Sequence, residues 1–168
     1  MVEPIAMYNI FNRLLCNQES KMTLHYLVNQ VQNDKKTMYE HKKTLAKYDG
    51  DDWPQYIEFT DDTYHRQLVS STENFDVYVI SWKKGQRSKI HDHPETGCIM
   101  RVMSGELLEK LYLPGDDEGP PPFMCQNKMP KDAIGYRISK TVLHEIIAVK
   151  DTVSVHIYEK NYKPTFYN

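Results

Sequence analysis

The sequence predicts a mainly β fold of the barrel type, preceded by a short helical N-terminal segment. From about residue 57 onward, short runs rich in Val, Ile, Tyr and Phe alternate with turn residues, which is typical of many short strands. Before residue 47, apolar residues recur at helical spacing instead. A chain of 168 residues fits one domain. We therefore expect a single domain, 1–168, in which helices within 1–47 pack on a barrel formed by 57–160.

Three helical patterns are present in the N-terminal segment. The first is carried by five apolar residues: Ile5, Tyr8, Phe11, Leu14 and Leu15. The second has the same periodicity, in Leu24, Leu27, Val28 and Val31. A third, more polar segment covers 36–47 and stops before the turn-rich residues 48–52. Each apolar stripe is expected to pack on a neighbouring element.

The remainder of the chain predicts strands. The runs with strand composition are 75–82, 98–103, 106–113, 134–138, 145–149 and 153–158. Gly105 lies between two of them and predicts a tight reversal, because glycine accepts backbone conformations that other residues resist. Residues 114–132, rich in Pro, Gly and acidic side chains, predict a surface loop.

Charge and cysteine content restrict the class of partner. Lysine plus arginine (21) nearly balance aspartate plus glutamate (23), and no run of like charge is present, so we expect no nucleic-acid partner. No apolar segment approaches membrane-spanning length, so we expect no membrane partner. Three widely spaced cysteines do not predict a disulfide framework and suit a reducing compartment. We expect a cytoplasmic monomer that acts on a small molecule.

Two histidines separated by one residue form the most informative motif. On a strand, His91 and His93 point to the same side, while Asp92 points away from them. His144, on a later strand, would complete a facial set of three nitrogen ligands with open positions for catalysis. Taken alone, a pair of this kind is better explained by solvent-exposed strand histidines than by a metal site.

The wider spacing resembles a known family. Gly85, the two histidines and Gly105 resemble the first motif of the cupin superfamily, and His144 falls where the second motif places its ligand. Most cupins have a glutamate ligand at the position of Cys98, and the cysteine here resembles the cysteine dioxygenases among the thiol dioxygenases. The resemblance implies a cupin-type, jelly-roll-like β-barrel. It also implies a mononuclear Fe(2+) bound by His91, His93 and His144.

Residues 153–158 resemble the family segment that ends in the active-site tyrosine. Ser154, His156 and Tyr158 share one face of the strand by its period of two, so all three side chains could line the barrel interior. The alternative is a buried, mutually hydrogen-bonded trio that only holds the core in register. With the resemblance, these three and Cys98 are expected to be catalytic, and a thioether crosslink between Cys98 and Tyr158 is implied.

Residues 64–69 resemble the family segment with the arginine that pairs with the substrate carboxylate. Arg66 would make two parallel charge-assisted hydrogen bonds to that group, although a surface ion pair is the commoner role of an arginine. Tyr64 could add a phenolic hydrogen bond to the substrate or only pack. One departure from the animal enzymes is Glu159-Lys160-Asn161, where they carry a serine and two prolines.

The reaction implied by the resemblance is the oxidation of L-cysteine by O2 to cysteine sulfinic acid. A first alternative is the same chemistry on another small thiol, such as 3-mercaptopropionate or cysteamine. A second is a non-catalytic cupin that binds metal without turnover. A third is a zinc or nickel cupin with isomerase or hydrolytic activity.

Overall fold

The computed structural model describes residues 21–33, 37–115 and 119–168. This part of the chain contains helix α1 (Leu24–Asn33), helix α2 (Met38–Lys47) and a 3-10 turn at Trp53–Tyr56. The strands follow in the order β1 (His65–Ser71), β2 (Phe75–Trp82), β3 (Ile90–His91), β4 (Cys98–Ser104), β5 (Glu106–Tyr112), β6 (Phe123–Pro130), β7 (Ile134–Arg137), β8 (Leu143–Ala148), β9 (Thr152–Glu159) and β10 (Phe166–Tyr167). The helix predicted from Ile5 to Leu15 lies outside the described residues.

The strands form two antiparallel sheets of five. The first sheet has the order β1-β2-β9-β4-β7 and the second β10-β3-β8-β5-β6. Ile80 and Met100 of the first sheet pack in one buried cluster with Leu107 and Ile146 of the second, so the sheets face each other across an apolar core. The mainly β, jelly-roll-like prediction is confirmed. The strands make two packed sheets, however, rather than one continuous closed barrel.

Both helices cover the outer face of the first sheet. Leu27 and Leu45 are buried in one cluster with Val79 and Val155, whose side chains point away from the space between the sheets. Arg101 of β4 also fixes the end of α2, because its Nη1 donates to the backbone oxygens of Leu45 and Tyr48 at 3.0 and 2.5 Å. The helical stripe predicted at 24–31 therefore packs on a neighbour as expected.

The prediction of a loop at 114–132 is wrong, because this segment contains strand β6. Of the eight residues of this strand, Met129 alone is buried, so the alternation that identifies a strand is missing from its sequence. The strand forms through its backbone pairing with β5 at the edge of the second sheet. Strands β1 and β10 were also missed, and β10 has only two residues and therefore no periodicity. The strand predicted to carry the two histidines is present as β3, but it ends at His91.

The stability of the protein is expected to depend on Gly105. Its φ is +82°, and an added Cβ would lie 2.3 Å from the backbone oxygen of Asp151. Gly85 also has a positive φ, +87°, but open space around it. We expect Gly85→Ala to lower the free energy of unfolding by about 1–2 kcal/mol, the cost of a left-handed residue. Gly105→Ala should cost about 1–3 kcal/mol more, because the clash is with backbone.

Urea unfolding of the two glycine variants and the parent protein measures this difference. Equal losses at the two positions would mean that the chain relaxes around Gly105, and the tight reversal would then not depend on glycine at this point.

Candidate active site

The structure brings three histidines together at one end of the space between the sheets. His91 lies on β3, directly opposite His144 on β8, and His93 follows two residues after His91. The Nε2 atom of His144 lies 3.1 Å from that of His91 and 3.0 Å from that of His93. Nitrogen ligands about 2.1 Å from one metal ion with mutual angles near 90° lie roughly 3.0 Å apart. The three rings therefore have the spacing of a facial metal site.

Hydrogen bonds at Nδ1 fix the tautomer of two of the rings, and with it the nitrogen that carries the lone pair. His91 Nδ1 lies 2.8 Å from the backbone oxygen of Lys89, and His144 Nδ1 lies 3.0 Å from Oε1 of Glu109. Because both partners are acceptors, each Nδ1 carries the proton and each Nε2 carries a lone pair. Two lone pairs 3.1 Å apart cannot hydrogen-bond to each other. A cation between them resolves this conflict, so the residues present fit a bound metal ion.

Burial keeps all three imidazoles neutral. It is the main cause that lowers the pKa of His91 and lowers the pKa of His144 well below its ordinary value. Burial, followed by repulsion from a charged His144 and His91, lowers the pKa of His93 to about 2. Neutral imidazole is the form that coordinates a metal.

Asp92 points away from the metal site, as the strand period predicts, and has a separate role. Its carboxylate is buried, with an exposed fraction of 1%, and it accepts hydrogen bonds from the Tyr162 hydroxyl and, at 2.8 Å, from the backbone N–H of Thr165. Pro164 and Phe166, the two neighbours of Thr165 in the chain, line the cavity beside the histidines. Asp92 thus joins the strand of the two histidines to the C-terminal wall of the pocket.

The predicted polar row on β9 faces inward as one hydrogen-bonded chain. Ser154 Oγ lies 2.8 Å from His156 Nε2, and His156 Nδ1 lies 3.0 Å from the Tyr158 hydroxyl. The chain has a fourth member that the sequence reasoning did not assign to the site, because Trp82 Nε1 donates to Ser154 Oγ at 3.0 Å. Burial, followed by repulsion from Arg66, lowers the pKa of His156 to about 3, and burial raises the pKa of Tyr158. The row is therefore uncharged.

Arg66 lies in the same cavity as the histidines. Its guanidinium carbon is 4.7 Å from the ring centre of Tyr78 and 5.1 Å from that of Tyr158. Tyr64 stacks on Trp82 with ring centres 4.2 Å apart, and it lines the cavity as well. The predicted substrate residues Arg66 and Tyr64 are thus brought to the pocket beside the histidines, and no carboxylate of the described residues forms an ion pair with the guanidinium.

Cys98 and Tyr158 are direct partners across the β4–β9 ladder. Directly opposed residues on one face of an antiparallel pair have Cβ atoms about 4.5–5.5 Å apart, which is within reach of a covalent bond between the two side chains. The Cys98 thiol is buried, and burial raises its pKa to about 12. Before any reaction the sulfur is therefore a neutral thiol.

Two further residues of the site were missed by the sequence reasoning. Glu109 on β5 has an exposed fraction of 1%, and Arg137 on β7 donates from Nη2 to its second carboxylate oxygen. A signal for Glu109 was present, because it occupies the buried phase of β5 between Leu107 and Leu111. A charged residue in the apolar phase of a strand needs a partner and is a candidate for a site. Arg137 had no such signal.

A two-sheet jelly roll with three converging imidazoles at one end defines a metal-binding cupin. The comparisons with known proteins narrow the class further. The model of one family, described as "Cysteine dioxygenase type I", matches residues 15–166. The chain therefore belongs to the cysteine dioxygenase type I family, a metal-dependent family of dioxygenases.

Individual relatives agree with this assignment. Cysteine dioxygenase type 1 of Danio rerio is 28% identical over 145 residues, which cover 81% of this chain and 70% of the relative. The protein of the same name from Homo sapiens is 25% identical over 132 residues, covering 74% and 66%. The matched region thus spans about two thirds of the length of these curated relatives.

A solved structure from Klebsiella pneumoniae, described as an uncharacterized conserved protein with a double-stranded β-helix domain, is similar in fold. Its TM-score is 0.54 at 18% identity, covering 71% of this chain and 97% of that one. Within the described residues, neither helix has the length and apolar character needed to cross a membrane. The single domain, the cytoplasmic location and the monomeric state stay predictions.

Proposed function

We propose that this protein is a thiol dioxygenase that converts L-cysteine and O2 to cysteine sulfinic acid at an Fe(2+) ion held by three histidines. The observation that carries the proposal is the Arg66 guanidinium, which lines the same cavity as His91 and His144. An arginine at this point offers a carboxylate two parallel charge-assisted hydrogen bonds. That preference favours a thiol with a carboxylate, such as L-cysteine or 3-mercaptopropionate, over cysteamine.

The neutral imidazoles also favour a thiol ligand. Because His91, His93 and His144 bring no negative charge, they leave the charge of a divalent ion uncompensated, and an anionic thiolate is a favourable partner for it. A ferrous ion bound there would supply open coordination positions for the thiol and for dioxygen. His91 and His144 line the cavity that also contains Arg66, so an ion held by the histidines would be accessible from that cavity.

The overall reaction balances without a further reductant. A thiol RSH and O2 give a sulfinic acid RSO2H, so sulfur is oxidised and both oxygen atoms are transferred to it. In this proposal Arg66 holds the carboxylate, and Tyr64, stacked on Trp82, forms part of the cavity wall. The protein thereby holds the two reactants as neighbours in a site with little water, which makes their encounter intramolecular.

The row on β9 would place a proton at the reacting atoms. Trp82 Nε1–H can only donate, so the Ser154 oxygen accepts from it and the serine proton is available to His156 Nε2. His156 then carries its own proton on Nδ1 and donates it to the Tyr158 oxygen. The phenol proton of Tyr158 is left to point into the cavity, where it would orient or protonate an oxygen species.

The pairing of Cys98 with Tyr158 supports the proposed thioether crosslink. Forming the bond removes one hydrogen from the thiol and one from the phenol ring, and dioxygen is the oxidant that accepts them. Since the Cys98 thiol is neutral and buried, the reaction is expected to depend on the metal site rather than to occur with O2 alone.

The test is a comparison of substrates on protein loaded with iron. Loaded protein is incubated aerobically with L-cysteine, 3-mercaptopropionate or cysteamine, and products are identified by mass. The proposal expects a sulfinate from L-cysteine at a higher kcat/KM than from either other thiol. A preference for cysteamine or 3-mercaptopropionate would move the assignment to that thiol, and metal binding without any sulfinate would leave a non-catalytic cupin. Parallel loading with zinc or nickel should give no oxidation.

Tyr158 is expected to be required for fast oxidation of cysteine. Replacing it with phenylalanine removes the phenol at the end of the β9 row, and we expect kcat for cysteine oxidation to fall by at least about 100-fold, the lower range for a lost general acid or base. The intact mass of the parent protein, after aerobic turnover, should be lower by two hydrogen atoms, and that change should be missing from Tyr158→Phe.

Tyr112→Phe is the matched control, because this phenol bonds to Glu145 at 3.2 Å outside the cavity. It should retain the activity and the mass change of the parent. Unchanged kcat in Tyr158→Phe would remove the phenol from the proposed mechanism, and the same mass change in both variants would place the crosslink elsewhere.

A further inference from the structure

The buried pair formed by Glu109 and Arg137 lies directly behind the metal site. One oxygen of the Glu109 carboxylate is 3.0 Å from His144 Nδ1, on the side of the ring opposite the nitrogen that faces the other histidines. The other oxygen accepts from Arg137 Nη2. Both oxygens of a carboxylate with an exposed fraction of 1% are therefore directed to named donors.

Burying this ion pair costs folding free energy, so its position directly behind a metal ligand points to a role other than stability. A buried ion pair loses the hydration of both charges, and apolar residues of similar size often stabilise a protein as well or better. Glu109 also occupies the phase of β5 in which Leu107 and Leu111 are buried. Packing alone would favour a third apolar residue at this position.

The three histidines differ in the hydrogen-bond partner of Nδ1, the ring nitrogen that does not face the other histidines. His91 Nδ1 donates to a backbone oxygen, and His93 Nδ1 is buried with no hydrogen-bond partner among the described residues. His144 alone of the three faces a carboxylate. A carboxylate acceptor fixes the tautomer and orientation of a ligating imidazole more strongly than a carbonyl and increases its electron donation to a metal.

We infer that Glu109 is a positioning residue that holds His144 as a metal ligand, and that Arg137 holds Glu109 in place for this task. The inference rests on the proposed function only in that His144 binds the catalytic ion. Arg137 lies opposite Cys98 in the β4–β7 ladder and donates through Nη1 to the backbone oxygen of Tyr136 at 2.6 Å, so its guanidinium is fixed from a second side. His144 is thereby attached to the far sheet through two side chains.

The test measures metal affinity without thiol or oxygen. Fe²⁺ dissociation constants are determined anaerobically by chelator competition for the parent, for Glu109→Gln and for the double variant Glu109→Leu/Arg137→Leu. The double variant removes the ion pair without leaving one charge buried alone, so its fold should be retained. We expect both variants to bind Fe²⁺ about 10–100-fold more weakly, as for other lost partners of metal ligands. The visible absorption of bound Co²⁺ should shift as well, because His144 donates differently.

Glu145→Gln is the matched control, since Glu145 is a nearly buried carboxylate next to His144 in sequence that pairs with Arg87 and Lys110 instead. It should retain the parent affinity and Co²⁺ spectrum. A folded double variant with the affinity and spectrum of the parent would overturn the inference and leave the proposed function intact. Failure of the parent protein itself to bind Fe²⁺ would overturn both.

Discussion

His144→Ala is expected to abolish both tight Fe²⁺ binding and thiol oxidation. His144 is the central member of the triad, because its Nε2 is the atom within 3.1 Å of both other Nε2 atoms. Its loss leaves two metal ligands and removes the hydrogen-bond partner of the buried Glu109 carboxylate. We expect the affinity for Fe²⁺ to fall by more than about 100-fold, the upper range for the loss of an outer partner alone. Metal content by atomic spectroscopy and oxygen consumption with L-cysteine are the two measurements.

The matched control is His25→Ala, which removes a histidine from the exposed face of α1. It should keep full iron content and activity. His93→Ala gives a second test from a different element, and circular dichroism establishes that each variant is folded. A folded, iron-loaded and fully active His144→Ala protein would contradict the ligand set, and with it the metal site.

Arg66→Met is expected to harm the oxidation of cysteine selectively. The substitution keeps an apolar stem beside Tyr78 and Tyr158. It removes the two hydrogen bonds that the proposal assigns to the substrate carboxylate. Truncating one partner of a buried, hydrogen-bonded charge pair costs about 2–5 kcal/mol. That range corresponds to a loss in kcat/KM of roughly 30-fold to several thousand-fold. Steady-state oxygen consumption with L-cysteine measures it.

Cysteamine provides the internal control for Arg66→Met, because it has the thiol and the amine of cysteine but no carboxylate. Its kcat/KM should change little, so the ratio of kcat/KM for cysteine to that for cysteamine should fall by the same factor as the value for cysteine. Arg87→Met, at an exposed arginine paired with Glu145, should leave both values as they are in the parent protein. A variant at Arg66 that keeps the cysteine preference would assign carboxylate recognition to another residue.

Much of the fold could be predicted because its strands carry a clear pattern. The run 75–82 coincides with β2, and β9 extends the predicted run 153–158 by one residue at each end. Both strands are covered on two sides, by helices and by the second sheet, so most of their residues are buried and apolar side chains dominate both runs. Strand β6 lacks this pattern because its faces are exposed, and its backbone pairing with β5 leaves no trace in its own sequence.

The site could be predicted as far as it depends on local spacing. A period of two places His91 with His93 and Ser154 with His156, and the family resemblance adds His144. The contacts of Trp82 and Glu109 depend instead on which strands become neighbours. Trp82 meets Ser154 through the β2–β9 ladder, and Glu109 meets His144 through the β5–β8 ladder. Neither ladder can be deduced from the residues of one strand.

The attachment of the C-terminal strand to Asp92 has a consequence for the wall of the cavity. Strand β10 contributes two residue pairs to the second sheet, so it belongs to the least stable part of the fold. Beyond those pairs, the Asp92 carboxylate supplies the hydrogen bonds that keep Thr165 and Tyr162 in position. Because Pro164 and Phe166 lie on either side of Thr165, the C-terminal wall of the cavity is held in place by the one buried carboxylate that stands between the two histidines.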